Sequence, residues 1–314
     1  HVEAICNHAG DYVHKVDHKE LAFVPLFFFD CVIFHYSIVM CSESFVNARQ
    51  RKRISAFKGF KVAYIQDEYR FIDQTAKAIH DLGISYVFTL VADNTVNQVY
   101  HHDFLKGVTF ENTLTGYVPA GWVSRDTLPY LERPVDVSYR ARKLVSWLGK
   151  HTLQKWQIAD RFIEDINARE EQLVLDISVR EEDRVYGEKW EKMIFESKAV
   201  LAVESGASVC DFDGSIEQRV NEHLEKYPNA SFEELSEAYF KEVDGVITQK
   251  VISPRCFEAA AARTLMIMYP GFFNGILKAG RHYIELKEDH SNLDEVLDIL
   301  KDDQKANQII NHAY

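Results

Sequence analysis

An α/β fold of two Rossmann-like, doubly wound domains facing a cleft is what this sequence predicts, on three observations. Short β-branched or aromatic runs recur, each followed by a longer amphipathic stretch, which is the pattern of strands alternating with helices in a parallel sheet. The alternation fails between Tyr117 and Pro134, where Pro119, Gly121, Pro129 and Pro134 cluster, and then it restarts. At 314 residues the chain also exceeds what one hydrophobic core usually organises. The predicted organisation is an N-terminal domain over 1–120, a linker over 121–133 and a C-terminal domain over 134–314.

In the first half the strand candidates are 2–6, 29–35, 61–66, 86–91 and 112–116. Between them, 71–82 carries apolar residues at Ile72, Ala76, Ile79 and Leu82, close to helical spacing, and ends at Gly83 as a helix C-cap would. The second half offers strands at 135–139, 173–177, 199–203, 264–268 and 282–286. Helices are predicted at 153–167, 189–196, 216–226, 231–243 and 293–301. The S-F-E-E run from Ser231 to Glu234 is a capping box that sets one helix start. The chain opens on His1 rather than Met, so trimming from a longer sequence is expected, with the first strand and helix of the N-terminal unit missing.

Composition narrows the function. With 36 basic against 48 acidic residues the formal charge is -12, which gives no general attraction to phosphate backbones, and nucleic acid is not an expected partner. The exception is Arg49, Arg51, Lys52, Arg53, Lys58 and Lys61, a basic run over 49–61 that reads either as a solvated helix face or as a peripheral contact with an anionic membrane. Cys6, Cys31, Cys41, Cys210 and Cys256 lack C-x-x-C spacing and read as reduced core residues. The apolar stretch 21–40 is interrupted by Pro25, Asp30 and His35, each costly in lipid, so a buried strand and a cytoplasmic protein are expected. Both G-x-G-x-x-G and G-x-x-x-x-G-K-[ST] are absent, against a dinucleotide dehydrogenase or a P-loop enzyme.

Ligands of open parallel sheets bind beyond the carboxyl ends of the strands, so the residues just after each predicted strand are the candidates. Pro254 at a helix start leaves no N–H wasted, and the exposed N–H groups and dipole there favour an anion such as a diphosphate. Arg255 adds a planar cationic fork, and Glu258, one turn on, is placed to accept hydrogen bonds from a ribose diol. Arg140, Arg142 and Arg180 follow two strands of the same half and suit the charge that builds on a departing diphosphate; salt bridges to Glu181, Glu182 and Asp183 are the plain alternative for Arg180 and its neighbour Arg184. Asp67 or Glu68 is a candidate general base for an acceptor hydroxyl, with His35 as a further choice and a salt bridge to Arg70 or Lys61 as the plain alternative. The D-x-D at Asp211 and Asp213 resembles a cation motif, yet such tripeptides are common by chance, and His101 and His102 lack partners at ligand spacing, so no metal is expected.

The S-P-R-C-F-E-A run at Ser253 to Ala259 resembles the C-terminal signature of GT-B glycosyltransferases, in particular the bacterial CgeB-like, glycosyltransferase family 1-like group. Q-D-E-Y-R from Gln66, V-F-T from Val87, V-D-V-S-Y-R from Val135 and A-V-L-A-V-E-S-G-A-S from Ala199 extend the resemblance over most of the chain. It implies transfer of a sugar from a nucleotide-diphosphate sugar to a glycan or small-molecule acceptor in surface polysaccharide or glycoconjugate synthesis, without metal or other cofactor. It also implies that Glu258 binds the nucleotide ribose and that the loop containing Glu204, Ser205 and Gly206 faces the donor. Where the most similar members carry Gly after the Arg of the Y-R motif, this chain has Ala141. The resemblance further implies a closing helix that returns to the first domain, and after 293–314 little sequence is left to supply it. A GT-B sugar-nucleotide 2-epimerase and a catalytically silent assembly protein are the alternatives on the same fold.

Overall fold

The computed structural model describes residues 2–9, 12–118 and 120–314; His1 and Pro119 lie outside the described residues. In chain order the elements begin with α1 (Val2–His8), β1 (Cys31–Phe34), α2 (Ala48–Ala56), β2 (Phe60–Tyr64), α3 (Ile72–Leu82), β3 (Tyr86–Thr89), α4 (Val96–Val99) and β4 (Thr109–Asn112). They continue with α5 (Ala120–Val123), β5 (Val135–Arg140), α6 (Gln154–Ala168), β6 (Leu175–Ser178), α7 (Glu188–Phe195), β7 (Ser197–Ala202), β8 (Ser205–Ala207), α8 (Ser215–Lys226) and α9 (Phe232–Leu235). The last are β9 (Gln249–Val251), α10 (Pro254–Ala261), β10 (Leu265–Met268), β11 (Ile284–Glu285), α11 (Leu293–Lys301) and α12 (Asp303–Ala313).

The chain divides into two compact units, one of His1–Leu114, Ser146–Gly149 and Ala207–Gln249, the other of Thr115–Val145, Lys150–Gly206 and Lys250–Tyr314. This differs from the division predicted at 121–133: the first boundary falls a few residues earlier, and 207–249 joins the N-terminal unit rather than the C-terminal one. The physical reason is packing. Cys210, Phe212 and Ile247 lie in the same apolar cluster as Ile72, Val87 and Val99, while the Asp211 N–H donates to the Tyr69 carbonyl and the Asp73 N–H to that of Phe212.

In the first unit β1 to β4 form a parallel sheet in plain sequential order. Helix α3 turns Ile72, Ala76, Ile79 and Leu82 into the core and stops at Gly83, whose φ of +70° is the left-handed C-cap predicted for it. The strand predicted at 2–6 is instead the helix α1. The apolar stretch 21–40 contains only the four-residue strand β1, at the sheet edge with Cys31 and Ile33 exposed, so it is not the buried strand expected. No helix among the described residues is long and apolar enough to cross a membrane. The basic run is not one face: Arg51 and Arg53 of α2 donate inward to the carbonyls of Met40 and Val24, and buried Lys61 to that of Leu82, leaving Arg49, Lys52 and Lys58 exposed.

In the second unit five parallel strands lie in the order β11-β10-β7-β5-β6. Period-two alternation puts Ala199, Leu201, Leu265 and Ile267 on one face with α6 and α11, and Val200, Ala202, Met266 and Met268 on the other with α10. Both faces are buried, which is why β10 and the Ala199–Ala202 part of β7 read as unbroken apolar runs. At the amino ends of the strands, buried Arg133 donates to the carbonyls of Ser197 (2.8 Å) and Ala262 (3.2 Å) and to the Thr264 hydroxyl (2.9 Å). The predicted helix 231–243 begins at the capping box as read, but after α9 it relaxes into a π turn, Ser236–Phe240. The closing stretch supplies a helix that was not expected, α12, which buries Ala306, Ile309 and Ile310 in this unit's core.

Candidate functional site

Numbered in chain order, the five strands of the second unit lie 2-1-3-4-5, so the winding reverses between β5 and β7. In open parallel sheets the chains leaving two such strands diverge, and ligands bind at the carboxyl ends there. Arg255, from the first turn of α10, spans this point: Nη2 donates to the Arg140 carbonyl at the end of β5, and Nη1 lies 3.5 Å from the Leu201 carbonyl of β7. Its guanidinium sits 4.4 Å from the Tyr139 ring centre and 5.4 Å from that of Trp190. Buried Nε has no hydrogen-bond partner among the described residues.

Glu258 follows one turn later on the same helix. The Trp190 indole N–H donates to its Oε2 at 3.0 Å, and Oε1 has no protein partner among the described residues. Burial pushes the Glu258 carboxyl above its ordinary value; the Trp190 hydrogen bond and the nearby Arg255 charge oppose that rise. The side chain is thus a half-buried acceptor with one oxygen open, beside a cation, at the switch point. Pro254 occupies the first position of α10, as predicted.

The other proposed donor residues have different surroundings. Arg140 is held by protein acceptors: Nη2 meets the Asp176 carboxylate at 2.5 Å, Nη1 donates to the carbonyls of Asp176 at 2.7 Å and Tyr139 at 3.0 Å, and Nε to the Asp183 carbonyl at 3.1 Å. Arg142 faces Glu181 at 3.8 Å, and exposed Arg180 pairs with Asp183 at 2.6 Å. These three therefore lie in ion pairs with acids of β6 and the loop after it, as the plain alternative had it for Arg180. Glu204, buried after β7, accepts from the N–H groups of Phe272 and Phe273 at 3.1 and 2.8 Å and so fastens the turn that follows β10. Gly271 is required in that turn, because a Cβ there would stand 2.9 Å from Glu204 Cδ and 2.7 Å from the Phe273 ring. Ser205 and Gly206 open β8. Buried His151 borders this loop; burial first, then Lys250 and Lys155, push its imidazole down to about 4, against hydrogen bonds to the Ser205 and Glu204 backbone.

The first unit separates its base candidates. Asp67, after β2, takes a left-handed φ of +58°, is exposed, and accepts from the Tyr69 hydroxyl at 2.9 Å. Its neighbour Glu68 points inward and is sealed: Thr89 Oγ1 and the Tyr100 hydroxyl both donate to Oε1 at 2.6 Å, and the Leu90 N–H to Oε2 at 2.7 Å. Burial raises the Glu68 carboxyl to about 7 despite these donors. It ties the carboxyl ends of β2 and β3 together, and the salt bridge predicted to Arg70 or Lys61 does not form. Arg70 pairs with Glu217 instead, at 2.6 Å. His35, after β1, is half-buried, with Nδ1 2.9 Å from Ser37 Oγ and its ring against Tyr36. Asp211 and Asp213 cap α8: Asp211 accepts from the N–H groups of Gly214 and Glu217, and Asp213 from that of Ser215. His102 faces Asp73 at 3.1 Å, and His101 stacks on it. The cysteines are free, but only Cys210 and Cys256 are core residues, and Cys31 is exposed.

Sequence reasoning missed Trp190 and Tyr139 as partners of Arg255. Nothing local in the sequence ties Trp190 to a carboxylate 68 residues on.

No protein-family model matches the sequence, and no curated protein matches it. Solved structures do. The chain is similar to an alpha-glucosyltransferase in complex with UDP and a 13-mer DNA containing a HMU base, at a TM-score of 0.53 and 10% identity over 98% of this chain and 82% of that one. It is similar to an alpha-glucosyltransferase in complex with UDP-glucose and DNA containing an abasic site, at 0.51 and 11% over 95% and 80%. Against TarM the TM-score is 0.41 at 10% identity over 82% of this chain, which spans about half, 47%, of TarM's length. At such identities the likeness is one of fold: this chain has the GT-B glycosyltransferase fold, built of two Rossmann-like parallel α/β units.

Proposed function

We propose that the chain is a CgeB-like, glycosyltransferase family 1-like enzyme. It moves a sugar from a nucleotide-diphosphate sugar to a glycan or small-molecule acceptor, in the cytoplasm, for surface polysaccharide or glycoconjugate synthesis. The observation that carries the reading is the open oxygen of Glu258 beside Arg255 at the switch point of the second unit. In this reading the ribose diol donates to Glu258, and the diphosphate lies at the α10 N-terminus, where N–H groups and Arg255 balance the charge that grows as the sugar departs. Asp67, the exposed one of the two acids after β2, takes the acceptor proton if the reaction inverts. Transfer proceeds without a metal ion, since Asp211 and Asp213 already direct oxygens at the N–H groups of α8. The acceptor is not nucleic acid, a reading supported by the charge of -12 even though solved alpha-glucosyltransferase structures hold DNA.

Titration calorimetry with UDP tests this: Glu258→Ala is expected to weaken binding about tenfold, and an unchanged affinity removes the assignment. One observation favours the silent-protein alternative, namely that Glu68 is sealed and Asp67 is held by Tyr69. Binding of UDP-glucose with neither transfer nor hydrolysis would decide for it.

A further inference from the structure

We propose that Trp190 is a positioning residue that fixes the Glu258 carboxylate for ribose recognition and so sets the discrimination of ribonucleotides from deoxyribonucleotides. The inference rests on the donor-site reading above. A glutamate on a helix turns about three side-chain bonds, and a carboxylate that must meet two adjacent hydroxyls loses much of its selectivity if it is free to rotate. Here one rotamer is pinned. The Trp190 N–H holds Oε2 at 3.0 Å and leaves Oε1 for the ligand.

The indole is itself held from two sides. Trp190 belongs to α7, whose Met193, Ile194 and Phe195 pack with Ala261 and Ala262 at the far end of α10, and Trp190 lies against this cluster. On its other side the Arg255 guanidinium stands between the rings of Trp190 and Tyr139. The carboxylate, the cation and the indole donor are therefore oriented by one contact set spanning α7, α10 and the end of β5. Tryptophan has a single side-chain donor, and that of Trp190 is spent on the half-buried Glu258 carboxylate, one turn inside α10.

The test compares UDP with 2′-deoxy-UDP by calorimetry on the full chain. Wild type is expected to prefer UDP by about tenfold, the effect of one hydrogen bond to a charged acceptor. Trp190→Phe, which keeps a ring but removes the donor, is expected to bring the ratio close to one. Trp190→His, which restores a ring N–H, is expected to recover part of it and guards against a variant that merely misfolds. In the Glu258→Ala background Trp190→Phe should have no further effect. If wild type discriminates and Trp190→Phe discriminates equally, the Trp190 role is overturned while the donor site stands. If wild type binds UDP and 2′-deoxy-UDP alike, the ribose contact is overturned with it; if it binds neither, the proposed function fails as well.

Discussion

Both units wind parallel strands between helices, but the first steps through its sheet in one direction, whereas the second reverses between β5 and β7. Without a reversal, neighbouring connections pack side by side, and in the first unit Glu68 is tied to Thr89, Leu90 and Tyr100 while its neighbour Asp67 stays exposed. With a reversal, the second unit has strand ends that must be bridged, and Arg255 bridges them with one nitrogen unpartnered and an open carboxylate oxygen nearby. The same β/α alternation thus yields a sealed polar cluster in one unit and an accessible one in the other.

The largest effect that sharpens this contrast comes from the opposite end of the second sheet. Arg133 gives its N–H groups to buried protein acceptors, so Arg133→Ala is expected to cost about 3 kcal/mol in urea unfolding and to leave the UDP affinity of the folded protein unchanged. A loss under 1 kcal/mol, on the order of an exposed ion pair, would show that the buried guanidinium is not a strand clamp.

The two units should also answer pH in opposite directions. Glu68 has a folded value of about 7, above its unfolded value, so its contribution is complete in acid and is lost as pH rises through 7. His151 has a folded value of about 4, below its unfolded value, so the second unit is destabilised as pH falls from the ordinary histidine range toward 4. Each span corresponds to at most about 3 kcal/mol. Native-state hydrogen exchange, read separately on the strands of each unit between pH 4 and 8, should show opposite slopes, flattened by Glu68→Gln in the first and by His151→Gln in the second. Parallel slopes would break the comparison.

A smaller effect is expected at the turn after β10. Gly271→Ala forces a methyl against Glu204 and Phe273 and is expected to cost about 1–2 kcal/mol by thermal unfolding; no change would mean that the turn gives way freely.

How much of this was legible follows the range of the interactions. Helix α3 was readable because its apolar spacing, its length and Gly83 agree within a dozen residues, and the α9 start because Ser231 and Glu234 cap each other. The α10 start was marked by Pro254. The 2–6 segment misled because five residues do not separate a strand from one helical turn of the V-E-A-I-C kind. Helix α12 was missed because its apolar face, Ala306, Ile309 and Ile310, is set among polar residues. The membership of 207–249 depends on contacts such as Asp211 with Tyr69, which leave no local pattern. In the candidate site, residue types were readable but their directions were not: Asp67 and Glu68 are separated by the long-range bonds of Glu68 to Thr89, Leu90 and Tyr100, beside a left-handed backbone at Asp67.

Hydrogen–deuterium exchange of the full chain with and without saturating UDP locates the nucleotide. Slowed exchange is predicted at the carboxyl ends of β5 and β7, in α7 around Trp190 and in the first turn of α10, with no change at the carboxyl ends of β2 and β3. Protection centred on the strand ends of the first unit, or none in either unit, would contradict the account.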